Sequence, residues 1–316
     1  MLSRVADAIY WLNRYIERAE NIARFVDVNL NLLLDLPMVG EQWHPLVLTT
    51  GDLAFFQQHY GNPTAENVIQ CLTFDSHYPN SIYSCMRAAR ENASSIREVI
   101  SSEMWLEVNS FYAFVRDAAK SQPQGDIADF LAKVKQASHS FTGVMDATMT
   151  HNEGWHFGQM GRLLERADKT SRILDVKYYL LLPSVEDVGS SIDELGWIAL
   201  LKSASAYEMY RKRGQHRITP AGVADFLILD AEFPRAIRSC LLHVEQYMYK
   251  VTGTPIGSWK LPVERVIGRL RSELDYLTIE EIISRGMHEF LDQLQTQINQ
   301  VDQEIFNTFF ALEAVA

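Results

Sequence analysis

Two fifteen-residue stretches of this chain carry guanidinium and carboxylate groups in the same order. Residues 14–28 begin Arg14-Tyr15-Ile16-Glu17-Arg18-Ala19-Glu20-Asn21 and continue through Arg24 and Asp27. Residues 162–176 begin Arg162-Leu163-Leu164-Glu165-Arg166-Ala167-Asp168-Lys169 and continue through Arg172 and Asp175, every position displaced by 148. On a helix, Arg14 and Arg18 lie one turn apart, as do Glu17 and Asn21, so one stripe presents two cations with a carboxylate between them. Arg162, Glu165 and Arg166 do the same. Carboxylates so placed could move protons, and the guanidinium forks could clamp a carboxylate or phosphate. Packing alone would keep only the apolar positions of a repeat, so the retained charges call for a chemical or architectural reason.

Three readings of the stripes are open. They are solvated faces carrying local ion pairs, each contributing only about 0.3–0.5 kcal/mol. Or they face each other across a pseudo-twofold axis, where Arg–carboxylate forks set the register of two halves. Or Arg14, Arg18, Arg24, Arg162, Arg166 and Arg172, with Glu17, Glu165 and Asn21, converge on an anionic ligand. The last two are compatible.

Other charged groups are secondary candidates. Arg87, Arg90, Glu91 and Asn92 form one cluster whose arginines read as exposed, and Arg235 and Arg238 follow Pro234 in the second half. The tract Arg211-Lys212-Arg213-Gly214, with His216 and Arg217 beyond it, is the one basic concentration in a chain of formal charge −11. It reads as a helix end stopped by Gly214, or as a docking point for an acidic partner or anion.

Familiar catalytic patterns are absent. Glu153-x-x-His156 is a lone pair, and the equivalent place in the first half, Val5 to Ala8, lacks it, so no metal is expected. There is no Walker A sequence, no Gly-x-Gly-x-x-Gly and no Gly-x-Ser-x-Gly. Cys71, Cys85 and Cys240 make no Cys-x-x-Cys pair, and the last two hold equivalent repeat positions, which reads as core filling.

The elements that position these groups read as helical nearly throughout. Leu12, Tyr15, Ile16, Ala19, Ile22, Ala23 and Val26 share one helix face, with the charged residues on the other. Thr219-Pro220 reads as a cap with proline at the first helical position, Phe233-Pro234 as the opening of a further helix, and Asp126 as a cap. Pro37 and Pro183 stop corresponding leucine-rich helices.

The repeat continues past the charged stretch. Trp43 answers Trp197, Asp75 to Met86 answers Asp230 to Leu241 at a displacement of 155, and Phe130-Leu131 with Val134 answers Phe290-Leu291 with Leu294. The displacement grows through extra residues near Ser184 to Ser191. The expected fold is all-α: two tandem, internally duplicated helical-bundle units, 1–148 and 149–316, packed together about a pseudo-twofold.

Composition narrows the class. At 47% hydrophobic and 22% charged, the chain can bury a globular core, and its acidity argues against a general nucleic-acid surface. No run is long enough to span a bilayer, and the start shows no secretory pattern, so a cytoplasmic protein without membrane contact is expected.

Leu2-Ser3-Arg4-Val5-Ala6, Tyr10-Trp11, Arg14 to Glu20, Gly161-Arg162 and Glu165-Arg166-Ala167 resemble the bacterial alpha-E family, over essentially the whole chain. Arg90-Glu91-Asn92-Ala93 and Phe233-Pro234-Arg235-Ala236 fit it too; Asn13, where Gly161 stands in the second copy, departs from it. The resemblance implies an all-helical protein encoded beside, or fused to, a circularly permuted ATP-grasp protein, often near a transglutaminase-like peptidase. The expected role is an auxiliary subunit of ATP-dependent peptide synthesis or modification, with ATP and Mg held by the partner and no cofactor on this chain. The rival readings are a stand-alone enzyme using the same carboxylates and arginines as acid/base and anion clamp, and a purely structural homo-oligomer.

Overall fold

A computed structural model of the chain describes residues 1–35, 43–121, 127–180, 191–214 and 217–311. Every regular element among them is helical. In chain order they are α1 (Ser3–Asp35), the short α2 (His44–Thr50), α3 (Leu53–Tyr60) and α4 (Ala65–Ile69), which runs into a π-helical turn at Gln70–Phe74, then α5 (Ile82–Ser95), α6 (Ser102–Ser121) and α7 (Ile127–Thr148). There follow α8 (Glu153–Leu180), α9 (Ser191–Ser203), α10 (Tyr207–Lys212), α11 (Pro220–Leu229), α12 (Ile237–Thr252), α13 (Pro262–Tyr276), α14 (Ile279–Arg285), α15 (Met287–Ile305) and a π-helical turn at Phe306–Phe310.

The two longest helices organise the molecule. α1, about 50 Å long at 1.5 Å per residue, packs along α8. α5 and α7 flank α1, while α12 and α15 flank α8. α6 bridges α5 and α7, and α13 bridges α12 and α15. Small residues allow α1 and α8 to approach: Ala19, Ala23, Ala167 and Ser171 are fully buried. At Gly161 an added Cβ would lie 2.4 Å from the Tyr10 carbonyl oxygen, so only glycine admits this crossing.

One apolar cluster runs through both halves. It takes in Phe130, Leu131 and Val134 of α7 and Phe290, Leu291 and Leu294 of α15, the weakest echo in the sequence. Cys85 and Cys240 are buried and free, and burial pushes their thiols up to about 12 and about 11, which leaves them inert packing groups.

Local signals hold to different degrees. Thr219 caps α11, its hydroxyl accepting from the Gly222 N–H, with Pro220 first in the helix. Gly214 follows α10 with φ +83°. Pro234, however, lies within a turn, and α12 begins three residues later at Ile237; in the first half Ser81 fills the equivalent cap and accepts from the Ser84 N–H. Pro37, Asp126, Pro183, residues 184–190 and His216 lie outside the described residues.

Of the three readings of the charged stripes, the solvated face does not hold for α1. Arg14, Glu17 and Asn21 are only 7%, 2% and 3% exposed, because α8 packs along α1 and Arg235, just before α12, reaches Glu17 and Asn21.

Candidate functional site

The charged stripes of α1 and α8 meet in reciprocal forks. Arg18 donates from Nε and Nη2 to the two oxygens of Glu165 at 2.7 and 2.9 Å. Arg166 donates from Nε and Nη2 to the two oxygens of Glu17, both at 2.8 Å. Each fork matches a planar guanidinium to a planar carboxylate, the arrangement with the sharpest directional preference among ion pairs.

Further cations close on the same carboxylates. Arg14 donates to Glu165 at 3.0 Å and to Asp302 of α15 at 2.5 Å. Arg235, just before α12, reaches Glu17 at 3.2 Å, Glu20 at 2.6 Å and the Asn21 amide oxygen at 2.8 Å. Glu20 also accepts from Arg24 and lies 3.1 Å from His139 of α7. In the second half Lys169 and Arg172 bond Asp168. Asn80 completes the Arg18 shell as an acceptor at 2.6 Å.

The electrostatics follow from this crowding. Burial alone would discourage Glu165 from ionising, but Arg18, Lys169 and Arg14 overcome it and hold the carboxyl well below its usual range. Burial likewise opposes Glu20, and Arg235, His139 and Arg24 overcome it. Glu17 is lowered against burial by Arg166 and Arg235, and Asp168 by Lys169 and Arg172. All four are anions near neutrality, each in contact with cations, which is the condition for burying charge.

Not every sequence candidate joins this network. Arg162 bonds Gln159 and no carboxylate among the described residues. Arg90 donates to Asn109 and lies over the Trp105 and Tyr112 rings, half-buried where exposure was expected; Arg87 and Glu91 are exposed, and Asn92 bonds its own helix at Ala88. Arg238 pairs with Asp275 of α13, away from α1. In the basic tract Arg213 is held by Asp230 at 2.7 Å, while Arg211, Lys212 and Arg217 are exposed. Glu153 pairs with the Met1 amino group, and no group of three or more His, Cys, Asp or Glu side chains among the described residues could hold a metal.

Sequence reasoning missed Glu20, Asp168, Lys169, Asn80 and Asp302 as members. Glu20 and Asp168 were signalled, since the repeat keeps an acid at both places. Asp302 lies 288 residues from Arg14, and no local pattern links them.

An all-helical chain built around paired Glu-Arg motifs is thus on view. It belongs to the Alpha-E family, described as an alpha-helical domain with a conserved ER motif, whose model matches residues 1–310. An uncharacterized protein of Mycobacterium tuberculosis and one of Mycobacterium bovis are each 21% identical to it across 98% of this chain. The chain spans 37% of the length of these curated relatives. No solved structure matches it significantly. No helix among the described residues is long and apolar enough to cross a membrane.

Proposed function

We propose that this protein is an auxiliary helical subunit of an ATP-grasp-linked system for peptide synthesis or modification, and that its Glu-Arg motifs lock the two halves of the chain together. One observation carries the architectural part: Glu17 and Glu165 are each forked by a guanidinium from the opposite motif at 2.7–2.9 Å. A carboxylate held by two or more cations binds its proton weakly and is a poor general acid, which gives the stand-alone enzyme reading less support. The greater length of the mycobacterial relatives favours a helical unit that works with further protein.

Contact with the ATP-grasp partner then falls to exposed groups, with Arg211, Lys212 and Arg217 available to an acidic surface. The test is a pull-down of the purified protein with the ATP-grasp protein encoded nearest to it, followed by ATP turnover of that protein with and without this chain. Association with altered turnover is expected. A failure to associate, together with unchanged turnover, contradicts the proposal.

A further inference from the structure

Among the described residues, Arg162 is the motif arginine without an anion. Its equivalent in the first half, Arg14, touches two carboxylates, Glu165 and Asp302. Arg162 instead donates Nη2–H to the neutral amide oxygen of Gln159 at 2.5 Å, and its Nε–H is buried with no acceptor among the described residues. The nearby carboxylate of Glu17 is already forked by Arg166 and bonded by Arg235. At the displacement of 160 that relates α7 to α15, the counterpart of Asp302 is Thr142, which is uncharged. Burial, and then the neighbouring Arg166, make the Arg162 cation less favourable than usual, and Glu17 offsets this only partly.

The surroundings are rich in donors and aromatic surface. Trp155, Gln159 and Arg162 fall within about 60° of one another around α8, at 100° per residue. The Trp155 indole Nε1 and His156 Nδ1 are also buried with no hydrogen-bond partner among the described residues. Both rings pack against Tyr247 of α12, with centroids 5.3 and 5.4 Å away, and the Lys250 ammonium lies 5.7 Å from the Tyr247 ring. The exposed Asp146 carboxylate lies 3.5 Å from the His151 ring. A half-buried cation whose Nε–H is buried without an acceptor is costly until an anion answers it.

We propose that this corner of α8 and α12 binds the carboxylate of a small ligand, with Arg162 as the anchoring guanidinium beside the packed Trp155 and Tyr247 rings. The ligand supplies to Arg162 what Asp302 supplies to Arg14 from within the chain. A single guanidinium suits a monoanion better than a phosphate dianion. This site rests on the Arg162 geometry and stands or falls independently of the ATP-grasp reading.

The test compares the intact protein with Gln159→Glu and Arg162→Gln, using acetate, L-glutamate and inorganic phosphate as probes in thermal melting and calorimetric titration. Gln159→Glu places a carboxylate on the atom that already accepts from Arg162. It is expected to melt above the wild type without any probe and to bind carboxylates at least ~tenfold more weakly. The wild type is expected to be stabilised saturably by acetate or glutamate, and Arg162→Gln to lose that response. Carboxylate responses equal in all three proteins, no saturable response in the wild type, or tighter binding of phosphate than of carboxylate would overturn the assignment. If Arg162→Gln fails to fold, Gln159→Glu decides alone: an undiminished carboxylate response there counts against the site.

Discussion

Asn21 and Lys169 hold equivalent places in the two charged stretches, and so do Asn80 and Arg235, yet the cation has changed sides. Around Glu17 and Glu20 the added charge comes from Arg235, which also bonds Asn21. Around Glu165 and Asp168 it comes from Lys169, while Asn80 accepts from Arg18. Each carboxylate cluster therefore gains one further cation, from the turn before α12 in the first case and from α8 itself in the second. Removing a partner from a buried pair costs about 3–5 kcal/mol, so Arg235→Asn should destabilise by an amount of that order in urea unfolding. Adding Asn21→Lys copies the second half's solution and should recover about 1 kcal/mol or more. Equal cost of Asn21→Lys with and without Arg235 would show that the two positions are not exchangeable. At this scale the sequence was informative about the motif residues, because the repeat retained their charges. It was silent on Asp302, whose link to Arg14 depends on how α15 returns to α1.

The elements depend on how closely α1 and α8 can approach. At Gly161 the obstacle to a side chain is the Tyr10 backbone, which cannot rotate away, whereas at Gly158 it is the ends of Asn13 and Met145. Gly161→Ala should therefore cost roughly 1–3 kcal/mol through overpacking. Gly143, in α7 with nothing within 4 Å of an added Cβ, should accept alanine with a gain of about 0.5–1 kcal/mol. Melting temperatures moving in opposite directions would bear this out; equal shifts would not. Helix identity was readable from periodicity and from the Thr219-Pro220 signal. The start of α12 was misplaced because Pro234 serves a turn that delivers Arg235 to α1, and a proline gives the same local signal in either setting. Burial of the charged face was also beyond periodicity, which separates polar from apolar positions and cannot say that a polar face meets another protein surface.

For the molecule as a whole, the four buried carboxyls of the Glu-Arg network, with their depressed pKa values, tie stability to pH. Glu17, Glu20, Glu165 and Asp168 bind protons more weakly folded than unfolded. Their contribution is full above the unfolded carboxyl range of about 3.9–4.3 and is lost as pH falls through the lower folded values. The melting temperature should thus drop steeply on acidification below about pH 4.3, and Glu165→Gln should flatten part of that drop while lowering stability at neutral pH. An acid limb identical in wild type and variant would disconnect the network from stability.

The central claim is that the two Glu-Arg motifs act on each other across the halves of the chain, and a double-mutant cycle between Glu17 and Arg166 in urea unfolding tests it most directly. Glu17→Gln and Arg166→Gln should each cost about 3–5 kcal/mol. The double variant should cost little more than either, giving a coupling of at least ~2 kcal/mol. Strictly additive losses would contradict the account and return the motifs to independent roles.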